Sequence, residues 1–439
     1  MEYSINKVAR MQAEQLSDHI EQIVAVSGFV YKIRVMSGFS FIILRTRRHL
    51  VQFIHDPTVA KFAIDEIEEN MCVEIVGKVI SDDRSRLGVE VVAENITVYS
   101  SATELPPVVI TKNGVSAKLD ALLDYRPVTL RNEKERSIFK IEEGLCRGFR
   151  QYLYRNGFTE IHSPKLVSGN AEGGANVFPV KYFARDAFLA QSPQFYKQMM
   201  VGVFERVFEI GSVFRAEKHN TSRHLNEYVS VDFEMGFISG YEDIMREEEK
   251  MLIETLEFLQ EEYSYELALW NIEIPNASGI PVVKFMDAKK MIETEYNRTI
   301  TDYGDFDPEE ERLLSGIIKK KTGSDFVFVT HYSSSKRPFY TMEDEHDPGY
   351  TLSFDLIFRG LEITTGGQRI HSYNEQIAKM ETRGMDIEPF ASYLMAHKYG
   401  LPPHGGLGLG LERFTARLLG FTNIRHTSLF PRDLNRIEP

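Results

Sequence analysis

Two carboxylates and two arginines sit inside a largely apolar stretch, Ser353 to His371, which reads SFDLIFRGLEITTGGQRIH. Its β-branched and aromatic residues run up to Arg359-Gly360 and resume at Leu361, the pattern of a strand, a tight turn and a second strand. With the turn centred near Phe358-Arg359, Asp355 and Glu362 are expected to sit opposite one another. Like charges across a ladder repel, so the pair asks for a cation. Mg²⁺ carried in with a triphosphate suits, because it takes oxygen ligands and is often held by only one or two protein carboxylates. Arg369 follows Gly366-Gly367, where bare backbone leaves room for a ligand, and its planar fork suits a carboxylate. The rival reading is an exposed hairpin whose charges are merely solvated.

A second set of polar groups precedes it. Gln191-Ser192-Pro193-Gln194 leads into a helical run with Tyr196 and Lys197, and an apolar strand, Arg206 to Phe214, ends in Arg215-Ala216-Glu217. A loop with Lys218, His219, Asn220, Arg223 and His224 separates it from a second strand, Glu227 to Phe237, which carries Asp232 and Glu234. Antiparallel strands joined by a basic loop place fixed positive charge over the sheet, as neutralising a polyphosphate requires. Near the C-terminus, Gly405-Gly406-Leu407-Gly408-Leu409-Gly410-Leu411-Glu412-Arg413 reads as a strand with one nearly bare face, against which a flat ligand could lie. A helix follows, putting Arg413 at its positive N-terminal end. Neither a Walker loop nor a Rossmann fingerprint is present.

Elements must hold these groups, and the chain has room for them. At 439 residues it exceeds the size at which one core stops growing, so two or more domains are expected. Cys72 and Cys146 are its only cysteines, so no disulfide framework can be drawn; with no run of about 18 apolar residues, a soluble, cytoplasmic protein without membrane association is expected. The net charge of -13 argues against a general nucleic-acid coat but allows a local basic face, and Lys32, Arg34, Arg45, Arg47, Arg48 and His49 supply one. Five β-like runs lie within the first hundred residues, with a helix expected from Pro57 to Asn70 between the third and fourth. That order is an OB barrel, whose strand face and loops bind single-stranded nucleic acid, with Phe41 as a stacking platform rather than core. Residues 1–103 are therefore assigned to the barrel, 104–131 to a linker or hinge around Leu105-Pro106-Pro107, and 132–439 to a second domain. A long amphipathic helix opens the latter, with Ile138, Ile141, Leu145, Phe149 and Leu153 on one face and a stop at Asn156-Gly157. The region from Gly240 to about Ser335 reads as helices with acidic faces and little visible chemistry.

These motifs resemble the class II aminoacyl-tRNA synthetases. The long helix ending at Pro164 is similar to motif one of that family, Phe214-Arg215-Ala216-Glu217 to motif two, and the Gly-Leu repeat ending in Glu412-Arg413 to motif three. An N-terminal OB domain marks the subgroup charging Asp, Asn and Lys. Asn170 to Gly174, Gln191 to Lys197, Gly366 to His371 and Leu429 to Asp433 resemble the archaeal-type aspartyl branch. The implied fold is α+β: the OB barrel, then a catalytic domain on an antiparallel sheet flanked by helices.

The resemblance implies roles residue by residue. Arg215 would hold the α-phosphate, Arg413, His224 and Arg223 the outer phosphates, and Glu217, Leu225, Tyr228 and Gly410 the rest of ATP, with Mg²⁺ on Asp355 and Glu362. Glu172 and Asp232 would attract the ammonium of L-aspartate, with Gln194 and Thr365 beside it, and Lys197 with Arg369 would take its side-chain carboxylate. Two cations so paired would be left uncompensated by a neutral amide, which gives a selection rule. Arg34, Phe41, Gln52 and Glu94 would read the anticodon of tRNA(Asp), and whether tRNA(Asn) is also charged stays open. A C2 homodimer through motif one is implied as well. Rival readings are an asparaginyl enzyme, an aspartate-amidating paralogue and a non-catalytic tRNA-binding protein.

Overall fold

The computed structural model describes residues 8–168, 176–218 and 220–438. The chain divides into two compact units, Met1–Glu135 and Arg136–Pro439.

The first unit is a closed barrel of β1 (Ile23–Val35), β2 (Ser40–Arg45), β3 (Leu50–His55), β4 (Cys72–Ser81) and β5 (Val89–Ser100), in the order β1-β2-β3-β5-β4. Alternation decides which residues fill it: Ile42, Leu44, Val51, Phe53, Ile75 and Val91 point inward and are buried. Phe41, out of phase with them, stays half-exposed on the outer face.

The helix expected over Pro57 to Asn70 does not form; the segment holds only a short 3-10 turn, Ile64–Glu66. Its backbone groups find partners outside it. Lys61 N–H donates to the Glu94 carbonyl (2.8 Å), Asn70 N–H to the Val30 carbonyl (2.7 Å), and the His55 ring bonds the Phe62 carbonyl (2.9 Å). Such bonds compete directly with an i to i−4 ladder. Residues 104–131, expected as a linker, lie within the first unit. There the Tyr31 hydroxyl donates to the Ile110 carbonyl (2.6 Å), and the Asn132 amide donates to the carbonyls of Ile110 and Lys112 (both 2.7 Å). The other end of the same amide accepts from the backbone N–H groups of Lys134 and Glu135, capping the long helix.

That helix, α1 (Glu133–Arg155), buries the face its spacing marked: Ile138, Ile141, Leu145, Phe149 and Leu153 are fully covered. Beyond it an eight-stranded sheet forms from β6 (Thr159–Glu160), β7 (Arg206–Phe214), β8 (Glu227–Gly236), β9 (Val282–Lys284), β10 (Phe326–Thr330), β11 (Ser353–Phe358), β12 (Leu361–Arg369) and β13 (His404–Gly410). The order is β9-β10-β11-β12-β13-β8-β7-β6, antiparallel except for the two outermost pairings, β9 with β10 and β6 with β7, which are parallel. Helices α2 (Gln194–Phe204), α3 (Tyr241–Glu262), α4 (Pro308–Thr322), α5 (Tyr373–Thr382) and α6 (Leu411–Leu418) complete the elements used below. Among the described residues no helix is long and apolar enough to cross a membrane.

The β11–β12 turn lies one residue later than expected. Arg359 (φ 46°) and Gly360 (φ 77°) form its centre in the left-handed region, which suits a two-residue hairpin turn. Ile357 therefore pairs with Glu362, and a register shift next to it pairs Asp355 with Thr365. Asp355 and Glu362 are thus not directly opposite, although a residue and its partner two along still share one face.

On the other face of this hairpin α3 buries Glu248 completely, and neither carboxyl oxygen has a hydrogen-bond partner. Burial, only partly relieved by the nearby Thr364 hydroxyl, which lies beyond normal hydrogen-bond geometry, and aided by the Asp355 carboxylate, pushes its carboxyl up to about 8 from 4.5, so the folded chain holds a proton there that the unfolded chain has released at neutral pH. The destabilisation is absent below about 4.5 and grows as pH rises towards about 8. Glu248→Met is expected to gain on the order of 3 kcal/mol of stability relative to wild type as pH rises from about 4.5 to 7. Unfolding midpoints of the two proteins across that range check this; parallel pH profiles would refute it.

Candidate active site

The strand ends and helix starts of the second unit enclose a cavity of about 380 Å³. Its floor is a cluster of four buried charges. Lys197, brought by α2, donates to Asp232 (2.8 Å) and to the Leu407 carbonyl (2.7 Å) and lies 3.4 Å from Glu234. Arg369, at the end of β12, donates to Glu234 (2.9 Å), to the Gly406 carbonyl (2.9 Å) and to Gln194 (3.5 Å). Burial opposes the ionisation of Glu234, but Arg369 and Lys197 outweigh it and hold this carboxyl below the ordinary range.

The glycines of β13 serve this cluster. A Cβ on Gly406 would lie 2.1 Å from the Phe233 carbonyl oxygen and 2.3 Å from the Glu234 carboxylate, so the bare face there admits protein rather than ligand. At Gly408 and Gly410 the strand does line the cavity, as the glycine pattern suggested.

The two cations are therefore already matched by Asp232 and Glu234, which corrects the expectation that a neutral amide would leave them uncompensated. Asp232, expected to face an ammonium, is engaged by Lys197 and by the Ser230 hydroxyl.

The opposite wall is arginine-rich. Arg215 at the end of β7 lies 4.0 Å from Glu217 and over the Tyr228 ring (5.7 Å), and His224 lies 3.9 Å from the other Glu217 oxygen. Arg413, in the first turn of α6, donates to the Glu362 carbonyl (3.0 Å) and lies 3.4 Å from its carboxylate, while Thr365 donates to that carboxylate (3.1 Å). Burial works against a charged Glu362, and Arg413 and Arg337 overcome it, keeping the carboxyl low.

Asp355 does not line the cavity. Arg337 covers it, with its guanidinium 2.7 Å from one carboxylate oxygen and stacked over Tyr332 (3.9 Å). Burial, aggravated by Glu362 and only partly relieved by Arg337, pushes the Asp355 carboxyl up to about 6. Its second oxygen is buried without a hydrogen-bond partner. An orphaned carboxylate oxygen on the same sheet face as a second carboxylate fits one hard divalent cation completed by phosphate oxygens. No group of three or more His, Cys, Asp or Glu side chains able to hold a metal alone occurs among the described residues.

Fourteen expected site residues line this one cavity: Gln194, Lys197, Arg215, Glu217, Arg223, His224, Leu225, Tyr228, Asp232, Glu362, Thr365, Arg369, Gly410 and Arg413. Glu172 lies outside the described residues, as does His219. Sequence reasoning passed over Arg337, Glu234 as the partner of Arg369, and Glu412, whose carboxyl oxygens accept from Val229 N–H (3.0 and 3.1 Å). Only Lys336-Arg337 entering the apolar hairpin signalled the first, and nothing in spacing pointed to Asp355 as its partner. In the barrel, Arg34 and Phe41 are register partners on the outer face, and Gln52 donates to Glu90, a contact with no counterpart in the sequence reading. Glu94 is half-buried one strand away.

Residues 118–434 match the family of class II tRNA synthetases (D, K and N), and residues 24–99 match the OB-fold nucleic acid binding domain. The chain is 45% identical to an aspartate–tRNA(Asp/Asn) ligase of Thermus thermophilus, over 98% of this chain and all of the relative. It is 38% identical to an aspartate–tRNA(Asp) ligase of Pyrococcus abyssi, over 95% and 96% of the two chains. Among solved structures it superposes on the asparaginyl-tRNA synthetase of Pyrococcus horikoshii complexed with asparaginyl-adenylate with a TM-score of 0.88 at 29% identity, covering 96% of this chain and 97% of that one. The aspartyl-tRNA synthetase of Entamoeba histolytica gives 0.86 at 30% identity, covering 100% and 95%. An arginine-walled cavity on an antiparallel sheet, preceded in the chain by an OB barrel and matched along nearly its whole length, makes this chain a member of the class II tRNA synthetases of the D, K and N group.

Proposed function

We propose that the chain is an aspartate–tRNA ligase that activates L-aspartate with ATP and transfers it to the terminal adenosine of tRNA(Asp). The observation carrying this reading is one cavity with two unlike ends: arginines and Glu362 at one, a buried arginine and lysine locked by two carboxylates at the other. The first end suits a polyphosphate and the second a small dicarboxylic amino acid.

The chemistry needs no protein nucleophile. The α-carboxylate of aspartate attacks the α-phosphorus, the bond to the bridging oxygen breaks, and pyrophosphate leaves with its electrons. A hydroxyl of the terminal adenosine then attacks the acyl carbon, the bond from that carbon to the phosphate oxygen breaks, and AMP departs with the electrons while its phosphate takes up the hydroxyl proton. Arg215 spreads the charge growing on the α-phosphate, Arg413, Arg223 and His224 hold the outer phosphates, and Tyr228 and Glu217 hold adenine beside Leu225 and Gly410. Arg369 and Lys197 orient the side-chain carboxylate, with Gln194 beside them and Glu172 reserved for the ammonium. Asp355 and Glu362 would hold Mg²⁺, which when bound supplies positive charge to the phosphate oxygens. Arg34, Phe41, Gln52 and Glu94 form the anticodon-reading face of the barrel, with Phe41 as its stacking surface.

Asparagine is the second reading, favoured by the charge balance of the floor and by the likeness to an asparaginyl enzyme. A C2 homodimer is part of the proposal, supported by the exposed Val203, Phe204 and Phe237. A cytoplasmic location is part of the same proposal.

Amino-acid-dependent exchange between ATP and pyrophosphate should proceed with L-aspartate and not with L-asparagine; the reverse would favour the second reading. Arg369→Gln is expected to cut aspartate-dependent exchange by about a hundredfold or more while leaving ATP binding intact. Unchanged exchange would remove Arg369 from the pocket. Charging of purified tRNA(Asn) beside tRNA(Asp) decides the tRNA range, with no product at high enzyme marking a discriminating enzyme.

A further inference from the structure

Helix α4 belongs to the region whose sequence shows no chemistry, yet it delivers one carboxylate to the back of the arginine-rich wall. Asp307 and Glu310 cap the helix reciprocally and Pro308 fixes its first turn, so the next residue, Glu311, is rigidly placed. A single Glu311 oxygen accepts the Glu362 backbone N–H (2.9 Å) and also pairs with the Arg223 guanidinium. The two side chains are 9% and 14% exposed, so the pair is little screened by solvent. Arg223 lines the cavity; Glu311 stands behind it and does not. Burial pushes the Glu311 carboxyl up to about 7, with Arg223 and Arg413 opposing that shift and the Glu362 carboxylate adding to it, and Arg417 adds positive potential at the same spot.

An arginine wall without anions behind it would hold ATP and the departing pyrophosphate equally tightly. Such uniform binding does nothing for the chemical step and slows release of the product. A buried carboxylate already bound to Arg223 changes this, because an incoming polyphosphate must compete for the guanidinium and meets a like charge nearby.

We propose that Glu311 is the resting counter-ion of Arg223, which weakens the hold on the outer phosphates and takes the guanidinium back as pyrophosphate leaves. Glu311 is then a positioning residue acting through Arg223. The inference rests on the nucleotide site proposed above, and wild-type binding tests that site separately: a wild-type chain that binds neither ATP nor pyrophosphate would sink the nucleotide reading itself.

Glu311→Gln keeps an acceptor for the Glu362 N–H and deletes only the charge. Calorimetry on the full chain should find ATP and pyrophosphate each bound about tenfold more tightly by this variant, with slower pyrophosphate release and an unchanged KM for aspartate. In an Arg223→Gln background the same substitution should tighten binding far less. A mere brace for the hairpin predicts the opposite sign, so unchanged or weaker pyrophosphate binding would overturn the proposal, and so would an equal gain in both backgrounds. Should Glu311→Gln not fold, Glu311→Asp, which shortens the reach to Arg223, carries the same expectation in smaller degree.

Discussion

Four charges buried within a few ångströms of one another constrain the catalytic unit more than any other feature. Lys197, Asp232, Glu234 and Arg369 are each at most 5% exposed, and any one of them alone in that place would be prohibitively costly. They are tolerable only as a set, and the set comes from three separate elements: α2, β8 and β12. The β13 strand must pass beside them without side chains, which is why Gly406 faces the Glu234 carboxylate. Its carbonyls at Gly406 and Leu407 then use the remaining donors of Arg369 and Lys197. Sheet order, strand register and glycine spacing thus answer to one electrostatic requirement.

The same arrangement recurs at the phosphate end. Asp355 is held by Arg337, Glu362 by Arg413, and Arg223 by Glu311. Arg337, Arg413 and Arg223 thus each have a protein anion within reach, which relieves much of the positive charge of this wall. A charge held in place, as Arg413 is against the Glu362 carbonyl and carboxylate, need not rearrange as charge develops on the substrate, the condition under which electrostatic stabilisation is most effective. The carboxyls differ accordingly: two close cations keep Glu362 low, whereas Asp355, deeper and beside a second carboxylate, is pushed up.

Much of the scaffold was legible in the chain. The apolar stripe of α1 has the 3.6-residue period of a half-buried helix, and the five barrel strands alternate as strands filled on one side must. Arg215, Arg413 and Glu362 stood out because charge at the end of an apolar run has few structural uses. Pro57 to Asn70 defeated the same reasoning. Its apolar spacing is helical, but carbonyls of neighbouring barrel strands take its N–H groups.

Sequence alone determined which residue types could act: the paired carboxylates, the arginines at strand ends, and a barrel with an aromatic on its outer face. Those follow from periodicity and from the chemistry each side chain carries. Only the tertiary structure decided who neutralises whom. A one-residue shift in the β11–β12 turn moved Asp355 away from Glu362 in register, and residues 135 and 51 positions distant in the chain, Glu234 and Glu311, became partners of Arg369 and of the Glu362 backbone. Ion pairing depends on distances across the sheet that no local pattern encodes, because the partner is chosen by strand order and register rather than by neighbours in the chain.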